Sequence, residues 1–169
     1  MNILDGNNIE ALDIENCGNE FPDENMSNWT NQLIYHDYNY SPCNLDTLKI
    51  SNTNAIVYAN GNFSAQTVII SNCNLSEQEP IYFNLSSTTV GILTVSNCTM
   101  SYFYADNSII GNIIIDNCTF LDYENHAYIF VGNRTQVNNC SGLRYIYSRL
   151  DCSELIVTNT ICNDIQCKQ

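Results

Sequence analysis

The stretch Val68-Ile69-Ile70-Ser71-Asn72-Cys73 sets the pattern that the chain repeats. Versions of it begin at Leu48, Leu93, Ile113 and Leu155, and another begins at Thr135 if a one-residue shortening is allowed. The corner asparagines Asn52 and Asn159 lie 107 residues and five steps apart, so the mean period is about 21 residues. A repeat period in that range indicates a solenoid.

The repeated stretch predicts a strand that ends in a one-residue corner. Val68 and Ile70 share one face of an extended strand, and the residues between them face the other way. Asparagine tolerates the left-handed backbone region, so Asn72 can bend the chain and return Cys73 to the inner face. The same corner is predicted at Asn52, Asn72, Asn97, Asn117, Asn139 and Asn159.

A second strand rich in Tyr, Ile and Phe follows in each period. It spans residues 33–35, 56–58, 81–83, 102–104, 128–130 and 145–147. Constant strands joined by connections of variable length are typical of stacked coils. We therefore predict one continuous domain of β-helix repeats over residues 33–169, with about six to seven coils. Residues 1–32 are predicted to form an N-terminal coil or cap with a long loop.

The corner asparagine and the stacked apolar positions, as in Ile114-Ile115-Asp116-Asn117-Cys118-Thr119-Phe120, resemble the right-handed parallel β-helix of pectate lyases, pectinases and phage tailspikes. The resemblance covers roughly residues 33 to 160. It implies an all-β, single-stranded right-handed solenoid whose corner asparagines bond from coil to coil. Positions 68–75 also fit a leucine-rich repeat. That fold needs a helical or leucine-rich return, so the Tyr/Ile/Phe-rich return favours the β-helix.

Composition limits the classes of partner. The net charge is −13 and the chain has five Lys and Arg residues. Nucleic acid is therefore not an expected partner, because phosphate binding requires clustered cations. No apolar run approaches the roughly 20 residues of a membrane span, so membrane insertion is not expected. The first residues lack a signal peptide. We nevertheless expect an extracellular location, or one on a cell or virion surface.

Four of the nine cysteines occupy one position of the repeat: Cys73, Cys98, Cys118 and Cys140. Coils about 4.8 Å apart are slightly too distant for relaxed disulfides, so these thiols are predicted to be buried packing residues. The alternative is a row of metal-binding thiolates. No Cys-x-x-Cys pair or nearby histidine supports it, and no metal or cofactor is predicted. Disulfides are expected among Cys152, Cys162 and Cys167, or between Cys17 and Cys43.

An aromatic row along the second strands is the candidate ligand-binding surface: Tyr35, Tyr58, Phe83, Tyr104, Phe130 and Tyr147. An outward row would form a flat strip able to stack on sugar rings, whereas an inward row would be part of the core. The residues between are also apolar, so the pattern leaves the direction open. Burial is favoured, because long aromatic rows usually lie inside.

Ten Asn-x-Ser/Thr sequons occur in the chain. Those at Asn97, Asn117 and Asn139 belong to the repeat, and these asparagines are expected to be buried corners. Glycosylation is predicted only at loop sites and only in a eukaryotic secretory context. The candidate sites are Asn25, Asn28, Asn62 and Asn133.

The functional prediction is a non-catalytic surface or structural module for adhesion, carbohydrate contact or fibre assembly. Its expected partners are glycans or further copies of itself, joined end to end or laterally. The alternative is a polysaccharide lyase or hydrolase, or a fragment of one. The resemblance implies an Arg or Lys base beside Ca²⁺ for lyases and an Asp cluster for hydrolases. The densest acids are Asp106, Asp116, Asp122 and Glu124, which are interpreted as solvated loop charges, and no catalytic residue is assigned.

Overall fold

The computed structural model describes residues 8–15, 32–34, 43–52, 56–59, 63–74, 81–84, 89–100, 102–106, 109–121, 127–131, 133–148 and 152–167. Its strands are β1 (Asn8–Glu15), β2 (Gln32–Ile34), β3 (Cys43–Ser51), β4 (Ile56–Ala59), β5 (Phe63–Ser71), β6 (Ile81–Asn84), β7 (Thr89–Ser96), β8 (Thr99–Met100), β9 (Tyr102–Asp106), β10 (Ile109–Asp116), β11 (Thr119–Phe120), β12 (Tyr128–Val131), β13 (Arg134–Asn138), β14 (Leu143–Ser148), β15 (Glu154–Thr158) and β16 (Cys162–Cys167).

The strands form two parallel sheets that wind together as an all-β solenoid. The first sheet has the order β1-β3-β5-β7-β10-β13-β15, and the second has the order β2-β4-β6-β9-β12-β14-β16. β8 and β11 pair as a short third face after the asparagine corner. The return segments in the described residues are strands, as predicted for a β-helix rather than a leucine-rich repeat. About four turns, over residues 89–167, are described with few gaps, where we predicted six to seven coils.

The predicted alternation along the repeated strand is confirmed. Val68 and Ile70 have no exposed surface, whereas Ile69 is half-buried on the outer face. After the corner, Cys73 is again buried, with 2% of its surface exposed. These positions align across the first sheet as continuous apolar rows, each coil covering the one before.

The repeat that begins at Thr135 needs no shortening. Thr135 pairs with Ile113, and Val137 pairs with Ile115, without a gap in the register. Thr135 is completely buried in the row otherwise filled by aliphatic side chains. The expected one-residue deletion is therefore corrected. The repeat is of full length, and a β-branched threonine replaces an aliphatic residue in it.

The asparagine corners adopt the predicted left-handed conformation. Their φ angles lie between 48° and 54°: Asn52, Asn72, Asn97, Asn117, Asn139 and Asn159. At each of the first five, the backbone N–H donates to a carbonyl of the following coil, as Asn72 does to Ser96 at 3.1 Å. The expectation that Asn97, Asn117 and Asn139 are buried is wrong, since all three are exposed. The residue after each of these corners is a buried cysteine, whereas the corner asparagine itself lies on the outside of the coil.

Gly142 permits one short connection between the asparagine corner and the second sheet. Its φ is +79°, and a Cβ atom there would lie 2.0 Å from the carbonyl oxygen of Phe120. Three residues of this coil separate Asn139 from Leu143, at the start of β14. The tight path thus depends on a residue that has no side chain and tolerates positive φ.

The N-terminal strand belongs to the same solenoid. β1 pairs in parallel with β3, and Leu12 and Ile14 align with Leu48 and Ile50. The first strand of the predicted 1–32 segment is therefore one more coil strand. Most of the predicted long loop and cap falls outside the described residues, and the boundary at residue 32 stays a prediction.

Candidate functional site

The second sheet has a buried row at its centre. Phe103, Ile129 and Ile146 have no exposed surface, and they pair with one another from β9 to β14. These are the middle residues of the Tyr/Ile/Phe-rich strands. Because side chains alternate along a strand, the positions on either side of the row belong to the outer face.

Tyr145 and Tyr147 show what the outer face carries. They flank the buried Ile146, and both are half-buried. Their rings stack with centroids 5.5 Å apart and an interplanar angle of 19°. At Tyr147 the row therefore runs along the outside of the solenoid, so the expectation that favoured its burial is wrong at this position.

The backbone register extends this pair into two columns. Tyr145 pairs with Tyr128, which pairs with Tyr102. Tyr147 heads the other column, whose further positions are Phe130, Tyr104, Tyr82 and Tyr58. We call these eight aligned positions the aromatic face; Tyr145 and Tyr147 are the two whose side chains the structure describes. Neighbouring positions in a column are one strand spacing apart, about 4.8 Å.

The register corrects one member of the predicted row. Phe83 pairs with Ala105, and Tyr82 is the residue in line with Tyr104. Ile81, Tyr82 and Phe83 are all apolar or aromatic, so the sequence offers no alternation from which to choose between them. Tyr58, Tyr104 and Phe130 take the predicted positions in the register, whereas Tyr35 lies outside the described residues.

Polar side chains replace the rings in the last coil. Asp164 pairs with Tyr145 and Gln166 with Tyr147, and both are exposed. Gln166 Nε2 donates to Asp164 Oδ2 at 2.7 Å, and the backbone N–H of Ile165 donates to Asp164 Oδ1 at 2.9 Å. A fixed carboxylate and amide thus lie one strand spacing beyond the two tyrosines.

Sequence reasoning overlooked Asp164 and Gln166 as partners of the aromatic face. The corners Asn139 and Asn159 are 20 residues apart, whereas Tyr145 and Asp164 are 19 apart. The last coil is thus one residue shorter between its corner and its second-sheet strand. Counting from the asparagine corner therefore misplaces the second-sheet residues of the last coil by one position. No local motif in the sequence reveals this shortening.

The cysteine ladder is buried, as predicted. Each ladder cysteine is 1–2% exposed and is not disulfide-bonded: Cys73, Cys98, Cys118 and Cys140. Each thiol also donates to the carbonyl oxygen two residues earlier, for example Cys98 to Ser96 at 3.2 Å. The thiols therefore fill the core and satisfy local backbone acceptors.

The pKa values of three ladder cysteines, Cys98, Cys118 and Cys140, are raised well above the usual range. The thiol of Cys118 lowers the pKa of Cys98, but the thiol of Cys73 and burial outweigh it and raise that pKa to about 12. Cys118 behaves alike: Cys140 lowers its pKa, while Cys98 and burial raise it to about 12. The pKa of Cys140 is raised, first by the thiol of Cys118 and then by burial. Protonated buried thiols are poor nucleophiles and poor metal ligands.

The predicted disulfides are not formed by the cysteines that can be checked. Neither Cys152 nor Cys162 is disulfide-bonded. Cys17 lies outside the described residues, and the side chains of Cys43 and Cys167 are not described. Burial raises the pKa of Cys162, which is half-buried at the end of the solenoid.

The asparagine side chains form a ladder on the outside of the corner. Asn117 Nδ2 donates to Asn97 Oδ1 at 2.6 Å, and Asn159 Nδ2 donates to Asn139 Oδ1 at 3.3 Å. Asn139 Nδ2 donates instead to Asp116 Oδ1 at 2.9 Å. The ladder implied by the resemblance is therefore present, with a carboxylate serving as one acceptor.

One predicted glycosylation site can be located. Asn133 has a φ of 53° and is half-buried, and its Nδ2 donates to the carbonyl oxygen of Ile110. A glycan would replace one of the two hydrogens on this nitrogen and would leave a single N–H for that hydrogen bond. Asn25, Asn28 and Asn62 fall outside the described residues.

A groove of about 880 Å³ follows the first sheet on its outer side. Its lining includes Asp46, Ser64, Gln66 and Ile92. Gln66 Nε2 donates to Asp46 Oδ1 at 2.9 Å, and the Ser64 hydroxyl donates to Asn44 Oδ1. These polar groups bond across coils, which gives them a structural role along the groove.

Of the acidic residues considered for catalysis, Asp116 is the one whose side chain the structure describes. Asp116 accepts the Asn139 amide at the corner, while Asp122 and Glu124 lie outside the described residues and the side chain of Asp106 is not described. Among the described residues, no three His, Cys, Asp or Glu side chains form a group that could hold a metal ion.

No family model, curated protein or solved structure matches this chain. The described residues contain no helix long and apolar enough to cross a membrane. The architecture itself is clear from the strand pairing: an all-β parallel solenoid with an external asparagine ladder and an internal cysteine ladder.

Proposed function

We propose that this protein is a non-catalytic module that binds neutral carbohydrate through the aromatic face. The observation that carries the proposal is the half-buried, stacked pair of Tyr145 and Tyr147 on the outer side of the second sheet. The register supports an extension of the pair along the solenoid through further aromatic positions. A linear array of this kind suits a linear glycan chain laid along the axis.

Tyrosine suits this role because its ring supplies apolar contact while its hydroxyl reaches water or a polar partner. Sugar rings present apolar C–H faces to the ring and hydroxyls at their edges. Asp164 and Gln166 stand in register with the two tyrosines and offer a carboxylate and an amide to those hydroxyls. Stacking would thus give affinity, and the polar pair would fix orientation.

The charge of the chain selects among glycans. With a net charge of −13, the protein repels uronate-rich or sulfated polysaccharides at ordinary ionic strength. Asp164 places one of these negative charges next to the aromatic face. Neutral glycans pay no such electrostatic cost, so they are the proposed ligand class.

We further propose that this protein is distantly related to the pectate-lyase-like and tailspike-like β-helices. It would share their coil architecture and use it for binding. The parallel sheets and the external asparagine ladder support this relationship. A location outside the cell, or on a cell or virion surface, fits a glycan-binding role and belongs to the same proposal.

A glycan array followed by titration calorimetry tests the function. We expect binding to neutral oligosaccharides, at least about tenfold weaker for Tyr147→Ala, since an aromatic contact contributes about 0.5–1.5 kcal/mol beyond the area it buries. Tyr147→Phe should keep most of the affinity, because the ring remains. Ile109→Ala is a matched control, since Ile109 is 67% exposed and lies in the first sheet.

Two outcomes would overturn the proposal. One is an array without any neutral glycan bound by the folded protein. The other is glycan binding that Tyr145→Ala and Tyr147→Ala leave unchanged, which would place the site elsewhere. Shortening of the bound oligosaccharide during the experiment would instead support the polysaccharide-cleaving alternative.

A further inference from the structure

The groove on the outer side of the first sheet is separate from the aromatic face, which belongs to the second sheet. Its volume is about 880 Å³. Spaces of about 300–1,000 Å³ that combine apolar surface with a few polar groups are the usual sites for small ligands. This groove has both components, and they are separated along its length.

Two rows of outward residues give the groove its direction. One row contains Asn44, Ser64 and Thr89, the other contains Thr67 and Ile92, and all five line the groove. Ile109 is the next residue after Thr89 in the first row. Strands lie about 4.8 Å apart, so the path from β3 to β10 is about 14 Å long and follows the solenoid axis. A ligand that fills this path must be elongated.

The end of the groove at β3 and β5 is polar. Asp46 is the one ionisable side chain among the lining residues that the structure describes. Gln66 Nε2 donates to Asp46 Oδ1 at 2.9 Å, which fixes the carboxylate, and its other oxygen, Oδ2, can accept a further hydrogen bond. The net charge of −13 also attracts cations to the protein. A cationic group therefore suits this end.

The end of the groove at β7 and β10 is apolar. Ile92 is 42% exposed, and Ile109 in the other row is 67% exposed. Gly91, which lines the groove beside Ile92, has no side chain to fill the space. Large apolar side chains that are exposed together, rather than singly, often mark a ligand-binding groove. A hydrocarbon chain therefore suits this end.

We propose that the groove binds a linear aliphatic amine, with its ammonium group at Asp46 and its chain directed along the axis towards Ile109. The ammonium donates to Asp46 Oδ2 and Gln66 Oε1, and the methylene groups cover Ile92 and Ile109. Each property of the ligand follows from one property of the groove. The carboxylate requires a cation, the length requires an elongated molecule, and the two isoleucines require hydrocarbon.

The surroundings of the groove disfavour two other classes of ligand. No aromatic ring occurs among the described lining residues, so a sugar finds no surface here for stacking. An anionic amphiphile would meet Asp46 and the negative charge of the chain. An adjoining cavity of about 200 Å³ shares Ile92 and contains Arg134, but that guanidinium is paired with Glu154 at 2.5 Å. One cationic group is thus the charge that the ligand needs.

A series of probes tests the proposal on the full chain. The probes are n-butyl-, n-hexyl- and n-octylammonium, titrated below their micelle concentrations and followed by the backbone amide signals in NMR spectra. We expect shifts centred on residues 64–67 and 91–92. Affinity should rise about twofold for each added methylene, because an open groove removes only part of each methylene from water. n-Octanol and octanoate carry the same chain and should bind at least about threefold more weakly, since they lack the ion pair.

Variants with matched controls locate the two ends of the ligand. Asp46→Asn keeps an oxygen for the Gln66 amide but removes the charge, so it should weaken n-octylammonium about threefold and leave n-octanol unchanged. Asp164→Asn removes the same charge from an exposed carboxylate on β16 and should change neither. Ile109→Thr should weaken n-octylammonium and n-octanol alike. Ile161→Thr should not, since this isoleucine is 72% exposed but lies away from the groove.

Several results would overturn the proposal. n-Octanol or octanoate might bind as tightly as n-octylammonium, or Asp164→Asn might weaken n-octylammonium as much as Asp46→Asn does. Affinity that stops rising at n-butylammonium would limit the groove to a short, lysine-like chain, and shifts centred on the second sheet would place the binding elsewhere. Circular dichroism checks that each variant folds, and the wild-type series decides the question without them. Glycan binding is not involved, so either proposal can fail while the other stands.

Discussion

Asn117 donates its side-chain amide to Asn97 Oδ1 at 2.6 Å, which joins the corners of two successive coils on the outside of the solenoid. Both residues are in the left-handed region, with φ angles of 51° and 53°. One residue type therefore meets two requirements. It adopts a backbone conformation that most residues resist, and it carries a donor and an acceptor along the axis.

Substitutions at Asn117 separate these two requirements. Asn117→Gly keeps the left-handed conformation and removes the hydrogen bond, which should lower the free energy of unfolding by about 1 kcal/mol. Asn117→Ala also has to place a Cβ atom in the left-handed region, so its loss should reach about 2–3 kcal/mol. Urea unfolding measures both. Equal losses for the two variants would show that the backbone conformation contributes nothing.

The raised thiol pKa values predict an alkaline loss of stability. An unfolded cysteine titrates near its ordinary pKa of 9.0, whereas Cys98 and Cys118 titrate at about 12 when folded. The unfolded chain therefore releases these protons first. The stabilisation is fully present below pH 9 and is lost as the pH rises towards 12, at about 1.4 kcal/mol per pH unit for each thiol.

Cys118→Thr is the matched control for this pH dependence. Thr160 already fills the ladder position in the last coil, where its hydroxyl donates to the carbonyl oxygen of Thr158 at 2.9 Å. Between pH 8 and about 10.5, the variant should lose about 1–2 kcal/mol less than the wild-type protein. Unfolding curves at several pH values give the comparison. Parallel losses in the two proteins would mean that the ladder thiols do not titrate differently on folding.

Gly142 should tolerate no side chain. Gly142→Ala would bring a Cβ atom against the carbonyl oxygen of Phe120 at a position whose φ is +79°. We expect a loss of at least about 3 kcal/mol, because the backbone must move to relieve both effects. Ser141→Ala, at the exposed neighbouring residue, should stay within about 0.5 kcal/mol of the wild type. Thermal unfolding that ranks the two variants equally would contradict this role.

Adjacent isoleucines test the division between the core and the outer face of the first sheet. Ile115 has no exposed surface, whereas Ile114 is half-buried on the outer side. Ile115→Ala should cost about 2–5 kcal/mol through the cavity it leaves. Ile114→Ala should cost about 1 kcal/mol or less, since water can occupy the space. Similar losses, measured by denaturant unfolding, would mean that the outer side is covered.

The first sheet was predictable because its information is local. In Val68-Ile69-Ile70-Ser71-Asn72-Cys73 the polar serine marks the outer face, and the asparagine marks the point where alternation restarts. The buried rows, the buried cysteine ladder and the left-handed corners follow from that stretch. The exposure of the corner asparagines does not follow from it, because that exposure depends on whether the asparagine side chain points to the inner or the outer side of the bend.

The second sheet was predicted as strands, but not in its orientation. Tyr145, Ile146 and Tyr147 are all able to lie in a core, so hydrophobicity cannot say which of them does. The structure buries Ile146, and the two tyrosines flank it on the outer face. The register that replaces Phe83 with Tyr82 also depends on connection lengths that no motif encodes. Which residue is buried depends on the side-chain size that fits between the sheets, and the register depends on the spacing of the coils. Both are set by the packing of all the coils together.

The parallel register of the coils has a mechanical consequence. Hydrogen bonds between neighbouring strands run along the axis of the solenoid, so a force that separates the two ends acts parallel to those bonds. Such a force loads the coil junctions in series rather than sharing the load among them. Because each coil contacts chiefly its neighbours, the protein should open by peeling, one coil after another, at low force. A force applied across the axis would meet many bonds together, so this protein should be compliant in one direction and stiff in the other.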